Sequence, residues 1–171
     1  MYIVIAYPKF NPDNLDKENG TMIYDSNNKL IKVIGNEKRQ KVKYDDLPQV
    51  LIDAVVPTED ANFFKHHGVD WKRLLKASFG QLTGNSDAGG ASTITMQLSK
   101  NSFTSTDATG VKGIVRKMTD IYLSIFYIEP RYTKKQLFTF YVNSPYLGSN
   151  SYGVQQASQT YFGKDVGDLN L

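Results

Sequence analysis

The hydrophobic pattern changes character about a quarter of the way along the chain. Before residue 45 the apolar residues come in short extended runs. TMIYDSNNKLIKVIG (21–35) reads as a hairpin, with two β-prone segments around Asn27-Asn28, residues that tolerate positive φ. From Leu47 the period becomes helical: Leu47, Val50, Leu51 and Ala54 recur at three and four. Asp70 is placed to cap a second helix whose Trp71, Leu74, Leu75, Phe79 and Leu82 share one face. GQLTGNSDAGGAS (80–92) carries four glycines and no period, which predicts a mobile loop. STITMQLSKN opens a third helix, and SFTSTDATG is a polar connection. Residues 111–129 predict one long helix, and IYLSIFYI within it is apolar nearly all round, the pattern of a helix buried at a domain centre. Thr133 and Gln136 form a capping box for the next helix, which ends before Asn143-Ser144-Pro145. A last helix runs to about Phe162 with Gly163 as its stop. In GKDVGDLNL, Asp168 followed by Leu169 and Leu171 predicts the start of a further helix. The expected fold is mainly α: an extended, β-like N-terminal arm over residues 1–45 and a helical domain over 46–171, with no internal repeat.

Composition narrows this only a little. The chain has 171 residues, enough for one domain with a real core, and 40% hydrophobic against 22% charged residues is ordinary for a globular protein. There is no cysteine, so thiolate chemistry and disulfides are excluded. The net charge of +3 matters less than where the basic residues sit, and no nucleic-acid partner is expected. The apolar run MYIVIAY falls far short of the roughly 20 residues of a membrane-spanning helix. It also lacks the basic start of a signal peptide. The abrupt end after Leu171 suggests a piece of a longer chain.

Three stretches carry candidate chemistry. In EDANFFKHHG (59–68), Glu59 and Asp60 stand at a predicted helix C-terminus, where the dipole disfavours anions. They are either a solvated pair or an acid site whose carboxylate works as a general base. His66 and His67 are the chain's only histidines, and adjacency points their rings apart. With no H-x-x-x-H and no cysteine, a zinc site is disfavoured. A histidine hydrogen-bonded under the carboxylates fits better. In GGASTITMQLSKN (89–101), a glycine-rich loop enters a helix with Ser92, Thr93 and Thr95 at its start. That pattern suits a phosphate, or plain capping, and it is not a nucleotide P-loop. In VKGIVRKMTD (111–120), Lys112, Arg116 and Asp120 lie at i, i+4 and i+8 beside Lys117. This is either an exposed salt bridge or a cationic mouth above a buried helix.

Taken in order, these motifs resemble the peptidoglycan glycosyltransferase domain of penicillin-binding proteins and monofunctional transglycosylases, glycosyltransferase family 51. EDANFFKHHG is similar to that family's E-D-x-x-F-x-x-H-x-G, and GASTITMQLSKN to G-[GA]-S-T-I-T-Q-Q-L-x-K-N. RKMTD stands for R-K-x-x-E, KKQLFTFYVN for K-x-x-I-L-x-x-Y-L-N, and GVQQASQTYFGK for G-x-x-x-A-x-x-Y-F-G-K. The resemblance runs from about Ile23 to Lys164. It implies a lysozyme-like helical fold with a flexible jaw, and a reaction that polymerises lipid II into glycan strands with inversion and loss of polyprenyl pyrophosphate. It implies Glu59 as general base and Asp120 as the second catalytic acid. The matched substrate-contacting positions would be Asp60, Phe63, His66, Ser92, Thr95, Gln97, Lys100, Asn101, Lys112, Arg116, Lys117 and Asn143. A divalent ion, Mg or Mn, would assist at the substrate's pyrophosphate, with no protein metal-ligand set. Partners implied are lipid II, the growing glycan, the membrane surface, phosphoglycolipid inhibitors of the moenomycin kind and other cell-wall synthesis proteins. The implied location is the extracytoplasmic face of the bacterial membrane, on an anchor outside this chain.

The chain departs from the family pattern at three places. Asp120 is one methylene shorter than the usual Glu, Met96 replaces the first of two glutamines, and Thr119 stands where a basic residue is common. Two other classes remain open on sequence: a lysozyme-like glycan hydrolase, which wants a second carboxylate to activate water, and a weak or inactive module that holds lipid II without turning it over.

Overall fold

The structure, a computed structural model, describes residues 10–16, 18, 21–27, 30–34, 38–83, 90–104 and 108–170. It is mainly α. The helices are α1 (Gln49–Asp60), α2 (Trp71–Leu82), α3 (Ile94–Phe103), α4 (Gly110–Leu123), α5 (Lys134–Asn143) and α6 (Val154–Phe162). Strands β1 (Thr21–Tyr24) and β2 (Leu30–Ile34) form the expected antiparallel hairpin, registered Thr21 to Ile34 with an irregularity between Ile23 and Tyr24. Asn28 of its expected turn lies outside the described residues.

α3 is the axis of the domain. Ile94, Thr95, Met96, Leu98, Ser99 and Phe103 are all buried, because its neighbours α4 and α5 enclose it on several sides. Thr93 caps it, its hydroxyl accepting from the Met96 amide at 3.2 Å. One core joins Leu47, Ile52 and Val56 around α1 to Phe63, Ile94, Leu98, Leu123, Ile128, Leu137, Phe138 and Val142. Asp70 caps α2 by accepting from the Arg73 amide, and Thr133 with Gln136 closes a capping box on α5, as their spacing predicts. Gly163 ends α6 at φ +64°, a left-handed setting that glycine adopts without penalty.

Described residues of the arm pack onto the helical domain. Leu15 is buried in the core, and the Phe10 ring lies 5.1 Å from that of Phe103. Two short strands, β3 (Lys38–Arg39) and β4 (Ser151–Tyr152), pair in parallel, which no sequence pattern announced. Arg39 of β3 is 1% exposed, donates to the carbonyls of Asn143 and Ser144, and stacks over Tyr152.

Two expectations are corrected, the single long helix over 111–129 and the helix start at Asp168, and the apolar face of α2 is found at the surface. The long helix of 111–129 ends at Leu123 and continues as a single π turn, Ser124–Ile128, where the Glu129 amide donates to the Ser124 carbonyl. That turn is not buried all round: Leu123, Ser124 and Ile128 face inward, whereas Phe126 is 60% exposed. The apolar face of α2 is on the surface, with Trp71, Leu75 and Phe79 exposed, because nothing in the described structure packs over it. Asp168 caps no helix; it ends a 3₁₀ turn, Val166–Asp168, whose Val166 is buried, and Leu171 is outside the described residues. Residues 84–89 of the glycine-rich loop are also outside them.

Candidate functional site

α1 delivers two adjacent carboxylates to different environments. Its last residue, Asp60, is wholly buried. One oxygen accepts from the Ile94 amide at 3.0 Å, at the start of α3, and both lie within 3.0 Å of His66 Nε2. The α1 dipole disfavours an anion here, but the free N–H groups at the start of α3 favour it. Asp60 therefore ties two helices together, and His66 braces it, its Nε2 donating because an ionised carboxylate can only accept.

Glu59, one residue earlier, is half-buried and turns the other way. Its carboxylate accepts from Gln97 Nε2 at 2.9 Å, and its main-chain carbonyl accepts from Arg73 on α2 at 2.6 Å. Gln97 in turn lines a cavity of about 250 Å³ with Ser92, Met96, Lys100, Arg116, Lys117 and Asp120. α3 and α4 thus face each other across a polar space that holds three cations and one carboxylate. Larger cavities exist near α6 and beside the arm, the first lined mainly by apolar groups and the second by mixed charges, but neither includes Gln97, the partner of the Glu59 carboxylate.

Asp120 is 2% exposed and fully engaged. Oδ1 accepts from Ser99 at 3.2 Å and Thr104 at 2.9 Å, and Oδ2 from Arg116 at 2.9 Å. Burial pushes its pKa above the ordinary carboxylate value, opposed by the Thr104 bond, the Arg116 charge and the Ser99 bond. A raised folded-state pKa means that the folded protein binds the proton more tightly than the unfolded chain. Asp120's contribution is then fully present below the unfolded value and is lost as pH rises through the folded one. In Asp120→Asn that titration is gone, so stability relative to the parent should rise between pH 4 and pH 7. Urea unfolding at both pH values reads this, and a flat difference would place Asp120 at its ordinary pKa.

The expected site residues separate into two groups. Ser92, Gln97, Lys100, Arg116, Lys117 and Asp120 meet at the cavity, with Glu59 reached through Gln97. Five of the others serve the framework. Phe63 is fully buried against Phe138, with the Lys134 ammonium over its ring, so it cannot touch a ligand here. Asp60 and His66 are engaged with each other. Thr95 is wholly buried and donates to Glu129 at 2.6 Å, which pairs with Lys134, so it forms no phosphate wall. The Asn143 amide both donates to and accepts from the main chain of Val42 and holds the arm. Asn101 and Lys112 are exposed and do not line the cavity. Thr119 donates to the Val115 carbonyl within its own helix. Sequence reading missed Tyr141, whose hydroxyl lies 3.4 Å from Gln97 Oε1, and Arg73, Ser99 and Thr104. Tyr141 had a signal, since FYVN is part of a recognised motif; Ser99 and Thr104 had none, being ordinary polar residues in a helix and at its end.

The sequence pattern of the Transglycosylase family matches residues 27–171. Penicillin-binding protein 1A of Streptococcus oralis is 36% identical over 171 residues, all of this chain and 26% of that protein. Those of Vibrio cholerae and Haemophilus influenzae are 40% and 42% identical over 149 residues, 87% of this chain and 18% and 17% of theirs. The chain therefore spans about a quarter or less of the length of these relatives. The family pattern covers Glu59, Gln97 and the cation-lined cavity between α3 and α4, and the chain belongs to the transglycosylase family.

Proposed function

We propose that this domain polymerises lipid II into peptidoglycan glycan strands. The observation that carries the reading is the pairing of one accessible carboxylate, Glu59, with a cavity lined by Lys100, Arg116 and Lys117. Glu59 takes the proton from the 4-hydroxyl of the acceptor sugar. The oxygen forms its bond to the anomeric carbon of the growing chain as the bond to pyrophosphate breaks on the opposite face, which inverts that carbon. The polyprenyl pyrophosphate leaves with its negative charge, and the three cations with the Ser92 hydroxyl stabilise that charge as it develops. A hydrolase releases no pyrophosphate and has no use for such a cluster.

Among the described residues no side-chain set makes a resident divalent-metal site. Asp120, the acid lining the cavity, is saturated by Ser99, Thr104 and Arg116, and no group of three metal-ligating side chains occurs among the described residues. An assisting divalent ion would have to arrive with the substrate's pyrophosphate.

The substrate's lipid tail calls for a membrane-facing surface at the extracytoplasmic side, where phosphoglycolipid inhibitors and cell-wall synthesis partners would also meet the domain. No described helix is long and apolar enough to cross a membrane. Two helices carry exposed apolar stripes instead. On α2 these are Trp71, Leu75 and Phe79, at 56%, 69% and 69% exposure, flanked by exposed Lys72 and Lys76. On α4 they are Val111, Ile114 and Met118. Apolar residues with lysines beside them suit an anionic lipid interface. Replacing Trp71, Leu75 and Phe79 by Ser should lower co-sedimentation with anionic vesicles about tenfold or more. Unchanged partitioning would make the α2 stripe irrelevant to lipid. Labelled lipid II tests the main reading: polymer supports it, muropeptides cut from finished glycan support a hydrolase, and binding without turnover supports a scaffold.

A further inference from the structure

The hydrogen-bond chain behind Glu59 has a direction, and that direction comes from chemistry. Glu59 as a carboxylate can only accept, so the amide edge of Gln97 that meets it at 2.9 Å must be the NH₂. The amide oxygen then faces the opposite way, toward the Tyr141 hydroxyl at 3.4 Å. An amide oxygen only accepts, so Tyr141 must donate. Three side chains from three helices, α1, α3 and α5, are thereby set in one sense: Tyr141 to Gln97 to Glu59.

Reversing the Gln97 amide would put its oxygen against the Glu59 carboxylate, two acceptors facing each other. The Tyr141 hydroxyl opposes that reversal because it would lose its acceptor. Among the described residues Gln97 is the one hydrogen-bond partner of the Glu59 carboxylate, through Oε2, which leaves Oε1 to meet a substrate hydroxyl. We propose that Tyr141 is a positioning residue for Glu59, acting through Gln97 to hold the carboxylate by one oxygen and present the other to the acceptor sugar. This rests on the glycosyltransferase reading above. The Tyr141 hydroxyl keeps the proton it donates, because burial, then the charges of Glu59 and Asp60, push its pKa up to about 12.

Tyr141 also touches the core, so packing alone is the competing account. Tyr141→Phe keeps the ring and removes only the hydroxyl. Its expected effect is a fall in kcat of about threefold to tenfold with KM unchanged, in keeping with one long neutral hydrogen bond that orients rather than binds. Gln97→Met keeps the bulk and removes both links, so its kcat should fall further, and adding Tyr141→Phe to it should change nothing more. A packing role predicts the opposite, a Tyr141→Phe effect that persists in the Gln97→Met background. A spectroscopic readout needs no turnover. In ¹⁵N-labelled protein the two Gln97 side-chain amide protons should be widely split in the parent, one being bonded to a carboxylate. The splitting should shrink in Tyr141→Phe and in Glu59→Gln. If the parent makes no polymer, the proposed function falls while the amide signal still reads the relay. If Tyr141→Phe leaves both kcat and the Gln97 amide signals at parent values, the relay does not exist. Should Tyr141→Phe fail to fold, Gln97→Met decides alone, and parent-like kcat there overturns the proposal.

Discussion

Glu59→Gln is expected to lower lipid II polymerisation by about 10² to 10⁴-fold, the range that general-base catalysis contributes. Two features of the structure make this a clean substitution. The Glu59 carboxylate carries none of the fold: its hydrogen bond is to Gln97, and a glutamine in its place still offers a carbonyl oxygen to the same amide. The architecture rests on its neighbour instead, since buried Asp60 holds the start of α3 and His66. The melting temperature and the affinity for lipid II should therefore stay close to the parent's while turnover collapses. Turnover near the parent's rate would remove Glu59 from the mechanism. A collapse accompanied by loss of folded protein would mean that the carboxylate had a structural role after all.

The contrast between Glu59 and Asp60 also marks how far the sequence could be read. Helix positions followed from periodicity and caps: α1 from Leu47 onward, Asp70 before α2, Thr133 with Gln136 before α5, and Gly163 after α6. These are local signals, and local geometry answered them. Motif order found the cavity, because Ser92, Gln97, Lys100, Arg116, Lys117 and Asp120 converge there. It could not tell cavity-lining residues from framework residues within a motif. Asp60, Phe63, Thr95 and Asn143 lie in the same short strings as the cavity residues, yet each is buried on partners distant in sequence: Ile94, Phe138, Glu129 and Val42. Which side of a helix meets another helix is a tertiary fact that no spacing encodes. The same limit explains α2. Its Trp71, Leu75 and Phe79 form an amphipathic face, but periodicity cannot say whether the apolar side is covered by protein or left for something else. The π turn at Ser124–Ile128 shifts the face of α4 part-way along, so an apolar run that looked buried all round exposes Phe126.

Arg116→Ala should have two separable effects, on stability and on ligand affinity. The stability effect arises from Asp120. Its carboxylate is buried, its pKa already raised by that burial, and Arg116 is the cation hydrogen-bonded to it. Removing one partner of a buried pair leaves an uncompensated charge, which costs about 3–5 kcal/mol in fully buried cases. The Arg116 side chain is 22% exposed and Ser99 and Thr104 still donate to Asp120, so about 2 kcal/mol is the expectation once solvent screening is allowed for. The ligand effect arises from the cavity, which loses one of its three cations. Affinity for a pyrophosphate-bearing ligand should fall about tenfold at low salt, and the gap to the parent should narrow as salt screens the remaining charges. Lys100→Ala is the control that separates the two. Lys100 lines the same cavity but makes no ion pair among the described residues, and its charge acts on Asp120 more weakly than that of Arg116, so its loss should weaken the ligand while leaving stability within about 0.5 kcal/mol. Denaturant unfolding and titration with a phosphoglycolipid at two salt concentrations read both quantities. If Arg116→Ala is as stable as the parent, Asp120 does not need its cation; if neither substitution changes affinity, the basic cluster is a solvated surface and the pyrophosphate is held elsewhere.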